Sequence, residues 1–278
     1  MLIDSHAHVN FNAFKDDYKE VLDRALVNDV WVVNVGSQYS TSKRAVEIAN
    51  EYETGVWAVV GIHPLHLKKQ SIAYQDSNEI DPIEIKMQGE IFEYERYLEL
   101  ALNKKVVAIG EVGLDYHHFE EGDDVAALKQ KQKEVLLQFI KLANEVGKPV
   151  MIHCWDAYLD LLEILKTNPV KKQGIIHSFV GGYKTAQKFI ELGYKIGLNG
   201  IITYTNDYAR LLKEIPLEHI VIETDCPYLG PVPKKGERNE PIYVRYVAEK
   251  IAQITGYDLN EVIKITTQNT KKALNIII

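Results

Sequence analysis

The residues best placed to do chemistry stand just after apolar runs. Leu2-Ile3-Asp4-Ser5-His6-Ala7-His8 opens the chain, and residues two apart on an extended backbone point the same way, so His6 and His8 converge. Two imidazoles aimed at one point bind a divalent metal when other ligands meet them there. Further on, Val106–Gly110 runs into Glu111, Pro149–Ile152 into His153, Gly174–Ile176 into His177, and Ile220–Thr224 into Asp225. A single polar residue in such a place is ordinarily a hydrogen-bonded cap, but six from five runs point to a metal centre. One catalytic ion must keep an open position, so six protein ligands are too many for it. They suit two divalent ions, with His6, His8 and Asp225 around one, His153 and His177 around the other, and Glu111 bridging. Paired ions of this kind clamp the oxygens of a displaced phosphate.

Positioning such residues requires regular elements. Val30–Val35, Val56–Val60 and Tyr194–Leu198 complete a set of eight short buried strands. Helical spacing is read over Phe14–Val27, Ser42–Tyr52, Ile91–Leu102, Val125–Val146, Ala157–Leu165, the residues up to Leu192, and Asp207–Ile215. Two more helices, Pro241–Ile254 and Leu259–Leu274, follow the last strand, giving an extra C-terminal helix. Strict alternation demands a parallel sheet, and eight units favour a closed (β/α)8 TIM barrel, one domain over residues 1–278. The polar segment Lys68–Gly89 reads as a long loop or insertion. In a barrel the active site lies at the C-terminal strand ends, where all six candidates are expected.

Net charge is −7, so no global basic field recruits nucleic acid, and phosphate recognition must be local. Two cysteines, Cys154 and Cys226, are too few for a disulfide framework. With neither a leader-like N-terminus nor a long apolar run, the expectation is a cytoplasmic protein with no membrane association and no obligate protein partner.

Taken together, Asp4-Ser5-His6-Ala7-His8, Gly61-Ile62-His63-Pro64, Gly110-Glu111-Val112-Gly113-Leu114-Asp115-Tyr116, Ile176-His177-Ser178-Phe179, Glu223-Thr224-Asp225-Cys226-Pro227-Tyr228-Leu229 and Arg238-Asn239-Glu240-Pro241 resemble the TatD family of metal-dependent deoxyribonucleases, nearly across the chain. The resemblance implies a distorted barrel, a two-metal centre at the residues named, magnesium for the nuclease reaction, hydrolysis of DNA from 3′ ends, and His63 beside the metals in contact with substrate. Zinc, manganese or iron would also suit the imidazole-rich ligands. There is one departure. Where the family has His-x-Arg-Asp-Ala, this chain reads His153-Cys154-Trp155-Asp156-Ala157, so an indole able to stack on a base replaces an arginine able to grip phosphate.

Other residues invite plainer readings. His66, His117 and His118 are expected in solvated loops, His219 is structural, and the cysteines pack. Asp4, one strand period behind His6, could orient a ligand. Lys234, Lys235 and Arg238 follow strand eight and could seat the DNA backbone. Asp225 would accept a proton from the attacking water. The competing function is a metal-dependent amide or lactone hydrolase on the same barrel.

Overall fold

Beta-branched runs without alternation build strands buried on both faces, and in the computed structural model, which describes residues 1–74 and 83–276, they form one sheet. Its strands are β1 (Leu2–Ala7), β2 (Val30–Val35), β3 (Val56–Val60), β6 (Val106–Asp115), β7 (Val150–Trp155), β8 (Gly174–Ile176), β9 (Lys195–Leu198) and β10 (Ile220–Ile222), in that order and with parallel ladders throughout. Helices α1 (Tyr18–Val27), α2 (Tyr39–Asn50), α3 (Tyr94–Ala101), α4 (Val125–Val146), α5 (Tyr158–Thr167), α6 (Tyr183–Glu191) and α7 (Tyr208–Glu214) connect them, and α8 (Val244–Thr255) and α9 (Leu259–Ala273) follow β10. This is the expected (β/α)8 barrel with its additional C-terminal helix.

Two layers of core hold it. Residues such as Val32, Ala58, Ile152 and Ile196 pack outward against Leu22, Ile48 and Phe139 of the helices. Ile3, Val33, Trp57, Met151, Ile175 and Val221 form an inner cluster, joined by Leu274 and Ile276 after α9. Helix limits follow local chemistry. Asp124 caps α4 by accepting from Ala127 N at 3.0 Å, and Gly147, at φ 65°, ends it.

No ladder joins β1 to β10 among the described residues, and this seam distorts the barrel. Individual bonds close it instead. His8 N donates to Cys226 O (2.8 Å), Asp225 N to His6 O (2.9 Å), and Thr224 N and Oγ1 to the Asp4 carboxylate at 2.9 and 2.5 Å. Asp4 therefore pins backbone across the seam and accepts from His6 N (3.2 Å), rather than holding an imidazole ring.

Two expectations need correction. The segment read as a long loop or insertion is an insertion that carries an antiparallel hairpin, β4 (Lys69–Tyr74) and β5 (Ile83–Gln88), and residues 75–82 lie outside the described residues. Strand four does not end at Gly110 but continues as β6 to Asp115, because Gly110 and Gly113 let it hug β7. A Cβ at Gly113 would stand 1.9 Å from His153 O, and one at Gly110 2.4 Å from Met151 O.

Candidate metal centre

The six strand-end side chains come together, with His8, Glu111, His153, His177 and Asp225 lining one pocket and His6 buried against them. His6 lies within β1 and His8 just after it, and the ladder to β2 shifts register between Asp4 and Ala7. Glu111 lies within β6, His153 within β7, and His177 just after β8. Asp225 lies beyond β10, in the left-handed region at φ 61°, a conformation that costs energy outside glycine and clusters at working sites.

The Glu111 carboxylate divides the cluster into two halves. On one side His6 Nε2 is 3.6 Å and His8 Nε2 3.9 Å from Oε2, while Asp225 Oδ1 is 3.2 Å from His8 Nε2 and 3.7 Å from His6 Nε2. The two imidazole nitrogens face each other at 3.1 Å. A tetrahedron with arms of about 2.1 Å has edges of about 3.4 Å, so these donor atoms are spaced for one ion. On the other side Oε1 is 2.7 Å from His177 Nε2, 3.3 Å from His153 Nδ1 and 3.4 Å from His63 Nε2. His177 also stacks on His6 with centroids 3.8 Å apart, so it stands between the halves instead of beside His153 alone. Donor atoms close enough for one ion also occur in His6, His177 and Asp225, and in His63, Glu111 and His153, the last of which moves His63 from beside the cluster to within it.

Proton positions make these contacts informative. His8 Nδ1 donates to Val35 O at 2.8 Å, and His153 Nε2 donates to Asp115 Oδ2 at 2.9 Å. The remaining nitrogen of each ring faces a carboxylate oxygen, His8 Nε2 toward Asp225 Oδ1 at 3.2 Å and His153 Nδ1 toward Glu111 Oε1 at 3.3 Å, and once deprotonated it offers its lone pair to a cation. His177 Nε2, though 2.7 Å from Oε1, is buried without hydrogen-bond alignment, and His177 Nδ1 and His6 Nδ1 are also unpaired. Donor chemistry and orphaned nitrogens both fit divalent cations.

The electrostatics agree. Burial opposes ionisation of Glu111, but His63, His177 and His6 hold its carboxyl well below the usual range. Burial pushes His177 down, yet Glu111 and Glu223 lift it well above its ordinary value. Asp225 is likewise disfavoured by burial, and its hydrogen bond with His8 and the nearby imidazoles bring it to about 2. The pocket draws positive charge in.

Around this core the structure recruits residues that strand-end reasoning missed. Asp115, fully buried, accepts from His153 Nε2, from His118 Nδ1 (2.9 Å) and from the backbone of His117 and His118. Buried Glu223 accepts from Ser178 N at 2.5 Å and from Ser5 Oγ at 3.3 Å, and lies 3.6 Å from His177 Nδ1. The signal for both was their place inside quoted motifs. His66 is not solvated but buried in the pocket wall, Nε2 3.2 Å from Ser37 Oγ, and burial takes its pKa down to about 4. His118 also lines the wall, whereas His117 is exposed beside Asp156. Trp155 joins that wall, stacked on His118 at 5.3 Å and His153 at 6.0 Å.

The basic residues after β10 are mostly engaged. Arg238 pairs with Asp17 at 2.5 Å and Glu240 at 3.4 Å, Lys234 pairs with Glu237 at 2.9 Å, and Lys235 lies 4.5 Å over the Tyr204 ring. None of the three lines the pocket that holds the cluster. Cys154 and Cys226 are buried and unligated, their thiols pushed up by burial.

With this geometry in view, the comparisons with known proteins are direct. The model of the family described as TatD related DNase matches residues 3–275. The chain belongs to the TatD family. It is 38% identical over 280 residues to an uncharacterized metal-dependent hydrolase of Bacillus subtilis, covering 99% of this chain and 100% of that one. It is 30% identical over 272 residues to the human deoxyribonuclease TATDN3, covering 98% and 93%. A crystal structure of a TatD homologue from Escherichia coli superposes with a TM-score of 0.83 at 27% identity, over 99% of this chain and 98% of that one. As a TatD protein, this chain is a metal-dependent hydrolase. Among its described residues no helix is long and apolar enough to cross a membrane.

Proposed function

We propose that this hydrolase is a deoxyribonuclease that trims single-stranded DNA from the 3′ end with two divalent ions. The observation that carries the reading is the pair of imidazole nitrogens, His8 Nε2 and His153 Nδ1, turned by outer hydrogen bonds toward opposite oxygens of one buried carboxylate. His6, His8, Asp225 and Glu111 Oε2 would hold one ion, and Glu111 Oε1 with His153 and His177 the other. Ions bound there supply Lewis-acid charge for the phosphate oxygens and acidify a water, and magnesium is the metal we favour for DNA.

The chain's own groups do the rest. Asp225, ionised at any working pH, accepts the proton of the attacking water. His63 keeps part of its ring at the pocket surface and 3.4 Å from Glu111 Oε1, where it touches the scissile phosphate. Trp155 offers an apolar ring on which a terminal unpaired base stacks. For the DNA backbone, Lys235 is the best placed of the three basic residues after β10, because Lys234 and Arg238 already have carboxylate partners.

Digestion of 3′- and 5′-labelled oligonucleotides with added metal tests the reading. The 3′ label should leave first, EDTA should stop the reaction, and divalent metal should restore it. Intact oligonucleotides beside opened lactones or amides would replace the nuclease with a carbonyl hydrolase.

A further inference from the structure

The opposite end of the barrel holds a feature the metal chemistry does not use. A pocket of about 300 Å³ opens there, lined by Lys171, Lys172, Gln173, Lys195, Lys272 and Asn275 among others. Its floor lies where strands begin: Pro149 precedes β7, Gly174 starts β8 and Lys195 starts β9. Lys272 comes from the last turn of α9. Among the described residues no carboxylate lines this pocket, although the whole chain carries a net charge of −7. Four lysines lining one pocket of an acidic protein make a local positive field, with Glu218 beside Lys195 as a partial counterweight.

We propose that this pocket is an anion site for a phosphorylated ligand. Lysine is a common point-charge partner for phosphate, and the Gln173 and Asn275 amides add neutral donors. A phosphoryl group brings the multiple negative charge that several ammonium groups call for, whereas a single carboxylate would leave most of them unmatched. The volume suits one nucleotide or one diphosphate.

Backbone geometry keeps the space open. Gly193 has φ 91°, and a Cβ there would meet the Gln173 side chain at 3.0 Å. Gly174 has φ 137°, and a Cβ there would stand 1.9 Å from Val150 O. Lys195 Nζ spends one hydrogen on Glu218 O (2.8 Å), which aims the amine and leaves two donors. Burial lowers the Lys195 pKa, and Lys272 lowers it further against the weaker pull of Glu218. The site is separate from the metal cluster: Gly174 precedes His177 by three residues, about 10 Å at the rise of a strand.

Isothermal titration of the metal-loaded protein with inorganic pyrophosphate, deoxyadenosine monophosphate and a short 3′-blocked oligonucleotide tests the assignment. Glu111→Gln serves as a second background in which metal-site binding is removed. Lys172→Glu with Lys272→Glu changes two exposed side chains, and circular dichroism checks the fold. Affinity for at least one probe should fall tenfold or more with the double change on both backgrounds, and about half as far on a logarithmic scale with Lys172→Gln and Lys272→Gln. Equal binding of pyrophosphate and the mononucleotide, with no gain for the oligonucleotide, assigns a free phosphate ligand. Tighter oligonucleotide binding assigns a strand backbone. Unchanged affinity for all three probes, or no binding outside the metal site, overturns the proposal.

Discussion

At the C-terminal ends of the strands, Glu111 and Asp225 gather His6, His8, His63, His153 and His177, with imidazole nitrogens 2.7 to 3.6 Å from carboxylate oxygens. At the N-terminal ends, lysines donate to backbone carbonyls: Lys148 to Val106 O (2.6 Å) and Asn103 O (3.0 Å), Lys195 to Glu218 O (2.8 Å), and Lys105 to Tyr52 O and Glu53 O. One end is built from imidazoles and carboxylates crowded together, with His6 Nδ1 and both His177 nitrogens left without hydrogen-bond partners. The other ties its charges to carbonyls the chain supplies wherever it folds. The barrel thus keeps histidines and carboxylates at one end and lysines, some of them tied to backbone carbonyls, at the other.

The largest break in this contrast should come from Glu111→Gln. The shared carboxylate serves both halves, so elemental analysis should find both metals lost and activity down by at least about a thousandfold, with the fold kept. Full double occupancy would show that Glu111 is not the bridge. Asp225→Asn should cost about a hundredfold or more in kcat, through loss of the proton acceptor, and weaken one metal while sparing the other.

Asp115→Asn touches neither ion directly but can no longer fix the His153 tautomer. Metal affinity on the Oε1 side should fall about 10- to 100-fold, and unchanged affinity would reduce Asp115 to a loop anchor for His117 and His118. Trp155→Ala should raise KM for oligonucleotides about tenfold, the cost of one lost stack, and leave hydrolysis of a base-free phosphodiester unchanged. Equal effects on both substrates would mean that Trp155 acts by packing on His118.

The smallest effect on catalysis should come from His66→Gln, and here the readout is pH. Burial holds the His66 pKa at about 4, below its ordinary 6.5, so the unfolded chain binds the extra proton between those values. Stability is therefore full above pH 6.5 and is lost as pH falls toward 4, by about 3 kcal/mol from this group. Denaturant melts should show that loss shrinking in the variant. Lys148 is the counterpart at the other end, lowered by burial to about 8, so its penalty for carrying charge is relieved only as pH rises from about 8 to 10.5.

Strand periodicity and its polar endings, both properties of adjacent residues, placed His6, His8, Glu111, His153, His177 and Asp225 at one end of a parallel barrel. The same local logic failed where glycine and long-range contact decide. Strand four runs on past Gly110 because β7 can approach two glycines closely, and the Lys68–Gly89 segment pairs with itself despite a weak pattern. Which groups share an oxygen depends on contacts such as His8 with Asp225 or Asp115 with His153, far apart in the chain and set only when the seam and ladders close. The burial of His66 and the gathering of lysines beneath β8 and β9 arise in the same way. The sequence alone determined which residues could hold a metal and at which end of each strand. Only the tertiary structure decided which atoms face which, because that depends on backbone approach across the barrel and not on neighbours along the chain.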